Sequence, residues 1–266
     1  MTSVPTLHDG EQIVYFQAGG DWCYLWTPET FRAGTPVPVL IHHHGAGGYV
    51  RDGGADWFEV DQKVGYLKAI MQATGCAVAS SHACGDHWGN ACATQANGAL
   101  YEALLASGHM DASRVGLMGG GLGGALVWNT VLGPLAGKVK TAAVLQAVAS
   151  LEDIIRDHKF KAPLLEAFGL PVDLDDDAAT AAVAAQDPLP RLQRLPAGAP
   201  LPRTAIYHGG QDNNVLPEAN AVALADALRR AGADVTLEIF PEVDHFVYEM
   251  GQPIQDRLAA FFGAAL

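Results

Sequence analysis

Basic residues are scarce in this chain. Lysine and arginine number 16 against 29 aspartates and glutamates, so the 266 residues carry a formal net charge of −13. Such a chain repels phosphate backbones and anionic headgroups, which argues against nucleic acid or a membrane surface as partner. Cysteine is sparse too. Cys23, Cys76, Cys84 and Cys92 form no Cys-x-x-Cys pair, so the spacing of a zinc ribbon or a thioredoxin-like site is missing. Cys84 and Cys92 are near enough in sequence to bridge if their loop folds back, but ordinary reduced thiols are expected. No apolar run reaches the roughly 18 residues that a membrane span requires. Residues 1–12 lack a basic n-region and an apolar h-region, so no secretory leader is expected and a cytoplasmic location is. No Pro/Ser-rich linker, internal repeat or low-complexity segment divides the chain, which predicts one domain over residues 1–266. A homodimer is compatible with this composition.

What is present is apolar. Hydrophobic residues make up 49% and charged residues 17%, enough for a sizeable core and too apolar for disorder. Residues 11–17 and 22–27 alternate like antiparallel edge strands. Short apolar runs at 37–42, 76–80, 114–118, 139–148, 203–208 and 235–240 read as buried strands. Helical spacing falls between them, at 56–73, 94–106, 122–132, 217–231 and 254–262. Strands that alternate with helices predict a mostly parallel sheet covered on both faces. Residues 150–200 break the rhythm with two short helical patterns, several prolines and an acidic cluster at 173–177, and read as an insertion over one end of the sheet. The acids lack the spacing of a calcium loop and suit a helix start.

One stretch is missing a residue. Gly119-Gly120-Gly121-Leu122-Gly123 lies between a predicted strand and a predicted helix, the setting of a Gly-x-Ser-x-Gly nucleophile elbow, with glycine at the serine position. The same glycines satisfy a dinucleotide fingerprint through Gly119, Gly121 and Gly124. Against that alternative, the acidic ribose ligand expected about 20 residues on is absent, and several βα units precede the motif. Three more strand-end segments should converge on the elbow. His44-Gly45-Ala46-Gly47-Gly48 offers small residues whose N–H groups can face a pocket, so Gly45, Ala46 and, past the elbow, Leu122 are the candidate oxyanion donors. Asp212 stands in a Gly-rich loop before a Pro-started helix and can orient an imidazole. His245 lies just past the last strand, and the order elbow, Asp, His is the one a hydrolase needs. Consecutive His42, His43 and His44 alternate in direction along a strand, so no metal site is expected. Nor is a metal expected from His82 and His87, which lack a third ligand. His44, Asp86, His87, Trp88 and Phe246 are candidate substrate contacts at the rim, and Trp57 and Tyr248 are aromatic neighbours.

The chain resembles an α/β-hydrolase of the esterase and dienelactone-hydrolase-like kind. His44–Gly48 match the oxyanion loop, Gly119–Gly124 the elbow, Asp212 the acid and His245 the base. The resemblance implies an eight-stranded, mostly parallel sheet with helices on both faces, a short helical lid at about residues 150–200, no cofactor, and acyl transfer to water from a small or medium ester or amide. Gly121 departs from the pattern. Three explanations stand side by side: a serine hydrolase whose nucleophile was replaced, a natural ligand-binding pseudoenzyme, or non-covalent chemistry in which His245 and Asp212 activate water or abstract a proton.

Overall fold

The N-terminal alternation folds into a hairpin in the computed structural model, which describes residues 4–266. The first three residues of the stretch without a leader pattern lie outside the described residues. β1 (Gln12–Ala18) and β2 (Asp21–Thr27) pair antiparallel, with Gln12 opposite Thr27 and Ala18 opposite Asp21. β3 (Val37–His43) is followed by a small hairpin of β4 (Val50–Arg51) and β5 (Gly54–Ala55). Then come α1 (Asp61–Thr74), β6 (Ala77–Ser81), α2 (Ala91–Ala106), β7 (Met110–Gly120), α3 (Leu122–Val131) and β8 (Thr141–Leu145). Four short helices follow: α4 (Leu151–Arg156), α5 (Lys161–Ala167), α6 (Asp176–Val183) and α7 (Pro188–Gln193). β9 (Arg203–Gly209), α8 (Ala223–Arg230), β10 (Val235–Phe240) and α9 (Gln252–Gly263) close the chain.

The main sheet has eight strands in the order β1-β2-β6-β3-β7-β8-β9-β10. The contacts of β1 with β2 and of β2 with β6 are antiparallel, and all later neighbours are parallel. Central strands such as β6 and β8 are buried along their whole length, as continuous apolar runs under two helical layers should be. One layer is built from Tyr66, Leu67 and Ile70 of α1 with Ile254, Leu258 and Phe262 of α9. The opposite layer draws on Leu100 and Leu104 of α2, Val127 and Trp128 of α3, and Leu224 and Leu228 of α8. Each such side chain contributes about 2 kcal/mol by leaving water. The expected α/β architecture, a mostly parallel eight-stranded sheet with helices on both faces, is the one observed.

Local departures have local causes. The helix expected over 56–73 is interrupted, because Val60 is extended (φ −127°, ψ 107°) between a 3₁₀ turn at Asp56–Glu59 and α1. The strand expected to reach 148 stops at Leu145, since Gln146 turns out of the sheet at φ 38°. The helix expected from 217 begins as a π-helical turn, Glu218–Val222. Residues 150–200 hold four helices, not two. Asp175 of the acidic cluster caps α6 by accepting from the Ala178 N–H, as acids at a helix start do. No helix of the described residues is long and apolar enough to cross a membrane.

Candidate active site

The turn at residue 121 joins the end of β7 to the start of α3, and glycines let it pack tightly. A Cβ on Gly119 would lie 2.6 Å from the Gly123 carbonyl oxygen, one on Gly123 equally close to the carbonyl oxygens of His43 and His44, and one on Gly124 would overlap Ala147. Strand, turn and the loop after β3 therefore touch backbone to backbone. This accounts for glycine at 119, 123 and 124 without a phosphate ligand. Gly121 itself differs from these three. Its φ of 53° and ψ of −129° are disfavoured for L side chains, yet, among the described residues other than its chain neighbours, only His245 Nε2 comes within 4 Å of a Cβ placed there, at 3.9 Å.

Asp212 and His245 meet because the loops after β9 and β10 interlock. A Cβ on Gly209 would overlap the Asp244 carbonyl oxygen, and the Gln211 N–H donates to the Val243 carbonyl at 2.9 Å. Asp212 is buried. Its Oδ1 accepts from the N–H groups of Asn214 (2.8 Å) and Val215 (2.9 Å), and its Oδ2 lies 2.9 Å from His245 Nδ1. Burial alone would raise the pKa of this carboxyl. Hydrogen bonds from His208, His245 and the Val215 N–H outweigh it and hold Asp212 well below the usual carboxylate range. It is thus a fixed anion beside an imidazole whose other nitrogen faces residue 121. Phe246, 41% exposed, sets its ring edge-on to His245 with centroids 5.2 Å apart.

The loop after β3 lies against the elbow. A Cβ on Gly45 would sit 3.3 Å from the Gly120 carbonyl oxygen, and Ala46 and Gly47 are exposed. Leu122 is the first residue of α3, a position whose N–H has no partner within the helix. The neighbouring predicted contacts are committed elsewhere. His44 is buried, with Nδ1 2.9 Å from the Gly45 carbonyl and Nε2 2.8 Å from the His82 carbonyl. Asp86 accepts the Gly47 N–H at 2.7 Å, so it anchors the loop after β3. His87 has no exposure and accepts from the Gly89 N–H at 3.0 Å, while burial, then the nearby His44 and His43, push its pKa well below the ordinary value. Trp88 is buried against Phe160 in an apolar cluster that includes Leu122 and Val215, close to the elbow. Trp57 packs against His42 with the rings tilted and centroids 3.8 Å apart, and Tyr248 packs on Phe246 at 5.5 Å.

The thiol expectation is corrected. Cys84 and Cys92 form a disulfide, with Cα atoms 6.3 Å apart. Their loop folds back through left-handed residues: Ala83 at φ 52°, Cys84 at 63° and Trp88 at 47°, helped by Gly85 and Gly89. Cys23 and Cys76 are free and buried. Burial, joined by the charge of Asp21, pushes the Cys23 thiol up to about 12, and burial pushes Cys76 up to about 11, so neither supplies a thiolate near neutral pH. Ser81 is buried and donates to Asn97 Oδ1. No substitute nucleophile stands at the elbow, and the described residues hold no group of three metal-ligating side chains. His208, buried beside Asp212, is absent from the sequence-based site. The spacing His208-x-x-x-Asp212 was the available signal, but the residue reads as one more member of a buried strand.

A model of the prolyl oligopeptidase family matches residues 65–266. No curated protein matches the chain. Among solved structures, dipeptidyl peptidase 4 of Porphyromonas gingivalis superposes with a TM-score of 0.71 at 17% identity, covering 98% of this chain and 36% of that one. Oligopeptidase B of Leishmania major gives 0.71 at 14% identity, covering 95% and 36%. An esterase of the bacterial hormone-sensitive lipase family gives 0.63 at 20% identity, covering 97% and 86%. The chain spans about a third of the length of the two peptidases and most of the esterase. At these identities the likeness is one of fold, and the fold is that of an α/β-hydrolase.

Proposed function

Because the chain belongs to the prolyl oligopeptidase family of α/β-hydrolases, we propose that residues 121, 212 and 245 form a serine-hydrolase site whose nucleophile position holds glycine. The observation that carries this reading is the direction of the missing side chain. A Cβ at residue 121 lies 3.9 Å from His245 Nε2, with no other atom of the described residues beyond its chain neighbours within 4 Å, and a serine hydroxyl one bond further out comes within hydrogen-bond reach of that nitrogen. In that enzyme His245 takes the hydroxyl proton and Asp212 holds the imidazole tautomer. N–H groups of Leu122 and of Gly45 or Ala46 stabilise the tetrahedral oxyanion, and water releases the acyl group. With glycine in place the covalent step has no nucleophile. The chain then binds its substrate without turning it over, because glycine adds no bulk to the site.

The proposed substrate is a small or medium neutral ester or amide, taken up by one domain in which residues 150–200 act as a short lid. Support comes from the cluster that joins Leu122 and Val215 at the site to Leu151, Ile154 and Leu164 of that segment. The names of the structural neighbours, peptidases and an esterase, span the same two bond types. Neither nucleic acid nor a membrane surface is a partner in this reading, because the net charge of −13 repels both. The Cys84–Cys92 disulfide favours an oxidising compartment over the cytoplasmic location read from the sequence. The test is Gly121→Ser assayed on a panel of aryl esters, thioesters and peptidyl amides. Turnover should rise by several orders of magnitude, up to the roughly 10⁶-fold that a triad nucleophile is worth. No gain on any of the three classes would remove the reading.

A further inference from the structure

His208 is fully buried near the end of β9, four residues before Asp212. Its Nε2 lies 2.8 Å from the Val215 carbonyl oxygen and 3.1 Å from Asp212 Oδ2. A backbone carbonyl and an ionised carboxylate only accept, so the ring hydrogen belongs on Nε2, bonded to the Val215 carbonyl with the Asp212 carboxylate beside it. Nδ1 is buried with no partner, a cost that a leucine in the same strand position would avoid. Packing alone therefore does not account for an imidazole here.

What it touches does. The two backbone N–H groups on Oδ1 fix one oxygen of Asp212, and Oδ2 has two acceptor positions. His245 Nδ1 takes one, and His208 Nε2 is within reach of the other. We propose that His208 is a positioning residue for the acid–base pair, holding Asp212 Oδ2 and the Val215 carbonyl together so that the carboxylate presents one fixed lone pair to His245. This rests on the assignment of Asp212 and His245 as acid and base. The hydrogen bond from His208 stands beside that from His245 among the causes that overcome burial and keep Asp212 ionised. The other charged side chains on the facing loops are Lys159, which bonds Asn214 Oδ1, and Asp244 and Glu242 on the loop after β10.

The experiment is histidine NMR on the unaltered chain and on two variants. Long-range ¹H–¹⁵N couplings in the unaltered chain should give the Nε2–H tautomer for His208, and an Nδ1–H tautomer overturns the proposal. The low-field His245 Nδ1–H resonance should persist in His208→Gln, whose amide N–H replaces the ring donor. In His208→Leu it should exchange with water at least about tenfold faster, the loss of one hydrogen bond to a charged group. An unchanged exchange rate in a folded His208→Leu overturns the proposal. If the leucine variant does not fold, the tautomer still decides. In the Gly121→Ser background, His208→Leu should lower kcat about 10- to 100-fold with KM within about twofold, and His208→Gln should restore most of it. An inactive Gly121→Ser protein would count against the hydrolase reading, while tautomer and exchange decide the role of His208.

Discussion

At residue 121 the backbone, not the space around it, sets the cost of a side chain. The φ of 53° and ψ of −129° lie where L residues are strained, and, among the described residues other than its chain neighbours, a Cβ there meets only His245 Nε2 at van der Waals distance. Gly121→Ala should therefore destabilise the protein by about 1–2 kcal/mol through backbone strain alone. Gly121→Ser should carry the same strain and recover about 1 kcal/mol by donating to the imidazole. The difference in urea midpoint between the two variants then measures the new hydrogen bond. Equal midpoints would mean that the serine hydroxyl does not reach His245. Neighbouring residues follow a different rule. His44, Asp86 and His87 read as rim contacts because they are polar and sit near strand ends. Buried or loop-bound polar groups need partners, and in the fold all three find them in the backbone.

Among the elements, the loop at residues 82–90 bears most on the site. Its disulfide closes a short ring across residues 84–92, worth about 2–3 kcal/mol in restricted unfolded chain, and its Asp86 holds the Gly47 N–H of the loop after β3. Cys92→Ser, or thiol reduction of the exposed bridge, should lower stability by about that amount. It should also speed hydrogen exchange at Gly47, and unchanged Gly47 protection after reduction would mean that Asp86 holds the loop without help from the bridge. That bridge was not legible in the sequence, since it depends on Ala83, Cys84 and Trp88 entering the left-handed region, which no residue type there announces. The sheet was legible, because buried parallel strands are continuous apolar runs whatever their neighbours. Boundaries were not, wherever one residue breaks the local pattern, as Gln146 does at the end of β8 and Val60 ahead of α1. The four helices of residues 150–200 are each eight residues or fewer, about two turns, too short for their periodicity to be separated from their neighbours. The order elbow, Asp212, His245 survives such errors, because it depends on which strand each loop follows and not on where the strand ends.

The whole molecule should be sensitive to mild acid despite its many carboxylates. His42, His43 and His87 are all buried. For His43, burial and then the charge of His44 push the pKa down to about 3, and burial likewise holds His42 and His87 well below the ordinary value of 6.5. His42 makes no hydrogen bond at either ring nitrogen, and its face is covered by Trp57. The sign follows from proton counting. Below pH 6.5 the unfolded chain takes up protons that the folded chain refuses, so stability falls as the pH drops. Each ring contributes a slope of about 1.4 kcal/mol per pH unit, or about 2 kcal/mol lost by pH 5. Asp212 acts in the same direction only at lower pH, because its pairing stabilises the fold above the ordinary carboxylate range and is lost below it. Protonation of surface acids opposes the trend by reducing the net charge of −13, but screening makes each such term small. The three rings act in the same direction, so the loss is a sizeable fraction of the stability of an ordinary domain. Urea unfolding at pH 7.5, 6.5, 5.5 and 5.0 should show a steep decline beginning near pH 6.5, and His43→Asn, which keeps the Asn97 contact without a titrating ring, should reduce the slope by about one proton. A flat profile between pH 7 and pH 5 would mean that these rings bind protons in the folded state, and with them that the interior at the end of β3 is wetter than its packing implies.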